Sequence, residues 1–247
     1  MTCSQEGGTS YLANDKPSED VETLKVADGV YYYPGQMFDS NVFVVSSQGE
    51  LLVIDTGTGL FHNTLKRQME RDGLDMKKVA KVVLTHVHID HSGGLSKIVE
   101  ESSPEVYVFH SEAESIEKGG ELTLSDMFGL PFTPTKVHVR LKDGDIIEIG
   151  DFSFKIINTP GHTAGSICLY EPQRKMLFSG DTVFTGGSFG RVDFPTGDPQ
   201  QLISSLRKLS ALNVTYLLPG HLDIETKRGR EQIVLSLKYA ELTLGSL

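Results

Sequence analysis

Seven side chains in four short motifs have the types and spacing to hold divalent metal ions. The stretch THVHIDHSGG, residues 85–94, places His86, His88, Asp90 and His91 directly after the apolar run Val82 to Leu84. In extended backbone, residues two apart project to the same side. His86, His88 and Asp90 then face one way and His91 the other, so one loop offers two donor sets. Gly93 and Gly94 let the chain turn sharply into a helix. TPGHTAG around His162, FSGDT around Asp181 and LPGH around His221 each add a donor just after an apolar run, at separations of 71, 19 and 40 residues counted onward from His91. A rigid sheet can aim loop side chains at one point from such strand ends. A lone His-x-His is an ordinary surface feature and a lone histidine after Pro-Gly a turn residue. The four motifs together predict two divalent ions held by imidazole and carboxylate, zinc first, with iron and manganese compatible with the same donors. His62, His110 and His138 lie outside these motifs and fit ordinary surface or packing duty. With two cysteines, Cys3 near the start and Cys168 inside a strand-like run, the chain can build neither a disulfide framework nor a thiolate cage.

The elements that must carry these donors follow from the apolar pattern. Runs at Gly29 to Tyr33, Asn41 to Val45 and Leu51 to Ile54 are expected strands joined by tight turns. Apolar residues at Leu60, Phe61, Leu65 and Met69 keep a helical period until Asp72-Gly73 stops it. Val82 to Leu84 and Val106 to Phe109 are further strands, with a helix over Leu95 to Glu100 between them. Gly119 to Pro134 holds three glycines and two prolines without steady period, which predicts a long surface loop near the site. Val137 to Tyr170 alternates well and is expected to form a meander of antiparallel strands. Met176 to Phe178 and Tyr216 to Leu218 are strands and Gln201 to Leu209 a helix. Arg228 to Leu244 closes the chain as an amphipathic helix with Ile233, Val234, Leu237, Ala240, Glu241 and Leu244 near one face. LLVIDTG at Leu51 to Gly57 and MLFSGDT at Met176 to Thr182 echo one another, each ending an apolar run with an acid. The pattern fits an α/β fold of two similar β-rich halves packed face to face, helices outside.

Composition narrows the function classes. The length of 247 residues allows one large domain or two small ones, and 38% hydrophobic residues with 25 Gly and 10 Pro describe a globular chain rich in turns. No apolar run is long enough to span a membrane, and the first twenty residues lack an apolar signal core, so a cytoplasmic location without membrane contact is expected. Residues 1–25 are expected to be a flexible tail and 26–247 a single catalytic domain. A net charge of −10 opposes phosphate-backbone binding and sets nucleic-acid partners aside.

THVHIDHSGG with the later His, Asp and His resembles the metallo-β-lactamase superfamily over roughly Gly29 to His221. The resemblance implies a four-layer αββα sandwich, two mixed β-sheets flanked by helices, with the metal site along one edge of the sheets. Carried over by position, it implies that His86, His88 and His162 bind one ion, Asp90, His91 and His221 the other, and that Asp181 bridges them. Within the superfamily, Gly180 to Asp198, and Gly190 to Pro195 above all, is most similar to small glyoxalase II-type thioester hydrolases. Two adjacent ions can acidify a water into the expected nucleophile. Asp90, bound through one oxygen, would orient that water with the other and accept its proton, which makes it the expected catalytic residue. Ser, Cys and Lys nucleophiles are then unnecessary, and no G-x-S-x-G motif suggests one. A thiolate, with a parent pKa near 8.5, departs without a general acid. The expected substrate is therefore a small-molecule thioester or related ester.

A lactonase of the acyl-homoserine-lactone type is an alternative, since His221 to Lys227 resembles a lactonase ending, although Phe184 stands where lactonases of this superfamily carry a tyrosine. A mononuclear-iron persulfide dioxygenase is another, and it would use His86, His162 and Asp181. Only 26 residues follow His221, too few for the helical glutathione-binding domain of full-length glyoxalase II enzymes, so glutathione is not favoured as the thiol, and a shorter thioester or a different thiol carrier is compatible.

Overall fold

Short runs of β-branched and aromatic residues closed by turns form twelve strands among residues 24–245, the part of the chain that the computed structural model describes. The first sheet takes β1 (Leu24–Ala27), β2 (Val30–Tyr33), β3 (Val42–Ser47), β4 (Glu50–Ile54), β5 (Val79–Val83), β6 (Glu105–Phe109) and β7 (Val139–Leu141), side by side in that order. Pairing is antiparallel from β1 to β4 and parallel from β4 to β7. The second sheet takes β8 (Ile146–Ile149), β9 (Phe152–Asn158), β10 (Ile167–Glu171), β11 (Met176–Gly180) and β12 (Tyr216–Pro219) in the order β12-β11-β10-β9-β8. Only β11 and β12 pair in parallel there. The helices are α1 (His62–Arg71), α2 (Ile89–Ser92), α3 (Leu95–Ser102), α4 (Ala113–Lys118), α5 (Ser125–Phe128), α6 (Pro199–Ser210) and α7 (Gly229–Leu244).

Three apolar cores make this a four-layer αββα sandwich. Phe43, Ile54, Phe154 and Phe178 belong to the central core between the sheets. Val44, Val53 and Val82 face the other way, into a core with Leu65, Met69 and Ile98 of α1 and α3. Leu177 and Leu217 meet Leu202, Leu206 and Ile233 of α6 and α7 on the opposite side. Alternation along each strand feeds the two faces separately, so neighbours such as Phe43 and Val44 end in different layers.

Several sequence expectations change. Val139–Leu141 does not join the antiparallel meander but pairs in parallel with β6 in the first sheet, and the chain crosses to the second sheet at the Asp143-Gly144 turn. The closing helix buries Gly229, Ile233, Ser236 and Ala240 and leaves Val234 46% exposed. Ser236 lies on the buried stripe because its hydroxyl donates to the carbonyls of Phe184 and Ser188. The long loop after Gly119 contains a 3-10 turn at Glu121–Thr123 and the single-turn helix α5. The tail expected over residues 1–25 lies outside the described residues except for Leu24 and Lys25, which belong to β1, and Cys3 lies outside as well. No helix among the described residues is long and apolar enough to cross a membrane.

Candidate metal centre

Strand direction collects the donors. β4 and β5 run in parallel and end at Asp55 and at the His86 loop, while β9, β11 and β12 share one direction and lead into His162, Asp181 and His221. All seven predicted residues meet at this common edge, where three groups of donors each fall within 4.8 Å: His86 with His88 and His162, His86 with His91 and Asp181, and Asp90 with His91 and His221.

The loop after β5 is not extended throughout. His88 caps the single turn α2, so Asp90 and His91 are presented by a helical turn, and strand alternation accounts only for His86 and His88. Gly93 and Gly94 have ordinary right-handed torsions. Glycine is needed there because a Cβ would collide with the backbone oxygens of Thr58 and Thr56, which cross closely over the loop. Gly220 is needed for a related reason, since a Cβ on it would strike Asp181 Oδ1 and the His91 ring.

The first group is a set of imidazole lone pairs. His162 Nδ1 lies 2.7 Å from the Arg191 carbonyl, which can only accept, so that nitrogen carries the proton and Nε2 is a lone pair. The Thr85 hydroxyl donates to Asp55 at 2.8 Å and therefore accepts from His86 Nδ1 at 3.1 Å, which makes His86 Nε2 a second lone pair. Both point at His88 Nδ1, at 3.1 Å from His86 and 3.0 Å from His162, and one N–H there cannot satisfy two acceptors. A cation resolves the conflict. Burial and the neighbouring imidazoles push His86 well below the usual histidine range. Burial lowers His162 too, and burial with the neighbouring His162 carries His88 down to about 3. All three are therefore unprotonated donors at neutral pH.

The second group is anionic. His91 Nδ1 donates to Asp55 at 2.9 Å, while its Nε2 lies 3.2 Å from Asp181 Oδ1, 3.8 Å from Asp90 Oδ2 and 3.3 Å from His221 Nε2. Burial works against charge on His91, yet Asp181, Asp55 and Asp90 together hold it well above the usual range. His221, 3.1 Å from Asp90, is also raised, with burial outweighed by Asp181 and by the hydrogen bond to Asp90. Burial opposes ionisation of both carboxyls, but His91 and His221 keep Asp181 and Asp90 below the usual carboxylate range. Asp181 turns Oδ1 toward His91 and Oδ2 toward His162 and His221, each at 3.6 Å, so it stands between the groups. Its Oδ1 is buried with no hydrogen bond, a costly condition that a metal ion would relieve.

Three supporting residues carried no assignment in the sequence. Asp55, the first acid of the strand-end echo, holds the Thr85 amide and hydroxyl and the His91 ring from a left-handed backbone with φ 59°. Its position after an apolar run was visible; its partners were not. Thr85 fixes His86. Glu112 sits fully buried and accepts from the Gly165 amide at 3.0 Å, while its Oε2 has no partner. Burial pushes it up to about 7, and the Thr163 hydroxyl and the Gly165 and Val87 amides offset that only in part. Among the histidines set aside, His62 pairs with Glu101, His138 accepts from the Val106 amide, and exposed His110 lies against Phe109.

The sequence profile of the Metallo-beta-lactamase superfamily matches residues 35–221, well over half of the chain and all seven donors. The chain belongs to this superfamily. Among its relatives, the acyl-coenzyme A thioesterase MBLAC2 of Homo sapiens is 31% identical over 233 residues, 79% of either chain. Hydroxyacylglutathione hydrolase GloC of Haemophilus influenzae is 33% identical over 203 residues, covering 76% of this chain and 88% of its own. The crystal structure of TTHA1623 in a di-iron-bound form superposes with a TM-score of 0.66 at 27% identity, over 84% of this chain and 96% of the other. Membership confirms the expected fold and a metallohydrolase framework whose histidine and aspartate clusters are able to hold metal.

Proposed function

We propose that this protein is a dinuclear metal-dependent hydrolase of thioesters. The observation that carries the reading is the placement of Asp181, whose Oδ1 is buried without a hydrogen bond 3.2 Å from His91 and whose Oδ2 lies 3.6 Å from both His162 and His221, so that one carboxylate reaches both groups of donors. His86, His88 and His162 would hold one ion and Asp90, His91 and His221 the other, with Asp181 shared. Zinc suits these donors first, with iron or manganese as substitutes. When bound, such a pair supplies Lewis acidity and lowers the pKa of water.

The rest falls to the chain's own residues. Asp90 Oδ2 faces His221, leaving Oδ1 to orient a water and take its proton. Asp55, Thr85 and the Arg191 carbonyl lock the rings of His91, His86 and His162, so the donors need no rearrangement when substrate arrives. A cavity of about 390 Å³ opens over the donors, and its lining among the described residues includes neither tyrosine nor lysine. A thiolate leaves without a proton, so a thioester suits a site without a second acid, whereas a lactone or oxygen ester does not. Two relatives with thioester-cleaving names add support.

The test is metal quantification on protein purified without added metal, followed by a panel of thioesters, oxygen esters, lactones and phosphoesters. Two ions per chain with selective thioester turnover is the expected result. One iron per chain with oxygen uptake would overturn it in favour of a dioxygenase.

A further inference from the structure

We propose that the cavity over the donors is a receptor for a linear apolar acyl chain, so that the acyl half of the substrate sets specificity. Assigning that chain to a thioester rests on the function proposed above. Five of the donors, His88, Asp90, His162, Asp181 and His221, form the floor of the cavity, and Phe38, Leu124, Phe128, Phe184, Phe194 and Leu222 are the main apolar walls. Apart from the donors, the polar side chains in the lining are Ser188 and Arg191. Arg191 is already engaged, paired with Asp193 at 2.9 and 2.6 Å and lying 4.4 Å over the Phe194 ring. The wall therefore offers little to recognise the hydroxyl of a short hydroxyacyl group and much to desolvate methylenes.

Backbone geometry points the same way. Leu124 and Leu222 both adopt left-handed torsions, φ 58° and 64°, which leucine rarely does, and both turn their side chains to this cavity. Leu222 stays 57% exposed in doing so. Phe38 and Phe128 stack at 5.5 Å with planes 11° apart, clasping the loop before β3 to α5. Their chain neighbours Met37 and Met127 are 86% and 63% exposed, so flexible apolar side chains adjoin the stacked pair in the chain. A compact polar acyl group would make no use of the clasp.

The experiment measures kcat/KM of the metal-loaded protein on acetyl, butanoyl, octanoyl, dodecanoyl, benzoyl and 2-hydroxypropanoyl thioesters of N-acetylcysteamine, so that the thiol stays constant. In parallel, calorimetry follows binding of the matching non-hydrolysable S-alkyl thioethers. We expect kcat/KM and thioether affinity to rise about threefold per methylene until the cavity is filled. Leu124→Trp and Leu222→Trp, which occupy chain space, should lower the octanoyl-to-butanoyl ratio by about tenfold, and Phe128→Ser should lower it by a smaller factor. Turnover and binding that are flat or falling with chain length, or that favour benzoyl or 2-hydroxypropanoyl, would overturn the inference and leave the thioester function standing. Chain-length-dependent thioether binding without turnover of any thioester would support the receptor and overturn the thioester function instead.

Discussion

The two groups of donors lie side by side yet are built on opposite electrostatic plans. His86, His88 and His162 are buried neutral imidazoles, each with one N–H and one lone pair at neutral pH. Asp90 and His221 are partly open to the cavity and His91 is buried, and the carboxylates around them raise both histidines. Without metal, the first group has two lone pairs facing a single N–H, while the second gathers protons to balance its anions. The difference teaches that one centre can attract cations in two ways, by unsatisfied donors and by excess negative charge. Asp181 belongs to both.

Removing the shared residue gives the largest effect. Asp181→Ala should drop metal content from two ions per chain to below one and reduce turnover by more than about 100-fold, measured by elemental analysis and thioester assay. Retention of both ions would refute its shared role. Acid should separate the groups next. Metal binding at His91 and His221 must displace protons, so affinity there falls as pH drops through their raised range, whereas the lowered histidines keep their ion to more acidic pH. Metal content followed from pH 8 downward should therefore fall in two steps, and in His221→Ala the step at higher pH should vanish. A single step in both proteins would erase the distinction.

Asp55→Asn sharpens the contrast further. It weakens the support of His91 and should cost about 10-fold to 100-fold in affinity for the acid-labile ion, read by competition with a chelator, with a much smaller change at the other.

The smallest effect concerns Glu112, which lies near the chain around Val87 and Gly165. Its pKa rises from 4.5 to about 7 on folding, so the folded state holds the extra proton between those values. Its contribution to stability is full below pH 4.5 and is lost as pH rises through about 7. Glu112→Gln keeps an acceptor for the Gly165 amide without the titration. It should flatten the stability profile across that window and raise stability at pH 8 by up to about 3 kcal/mol in denaturant titrations. An unchanged profile would show that Glu112 is not the titrating group.

Each donor was legible because it follows an apolar strand within a few residues, and the chemistry of His and Asp narrows what such a position can do. His86 and His162 stand in local patterns that read the same in the sequence and in the fold. The helical turn that carries Asp90 and His91 is not legible in the alternation, which predicts extended backbone past the strand end, where the chain has already turned into α2. Gly93 and Gly94 were visible as glycines, but the reason for them lies in Thr56 and Thr58, some 35 residues earlier in the chain. Hydrophobicity alone favours Val234 over Ser236 for the buried face, yet Val234 is exposed and Ser236 buried, because the hydroxyl partners of Ser236 belong to another segment.

By itself, then, the sequence determined the donor types, their strand-end placement and the layered class, because those depend on residue chemistry and local period. Tertiary structure decided which carboxylate braces which ring, which strand joins which sheet, and which apolar side chains line the cavity. Those outcomes depend on contacts between residues far apart in the chain, and no local pattern encodes a distance that only folding creates.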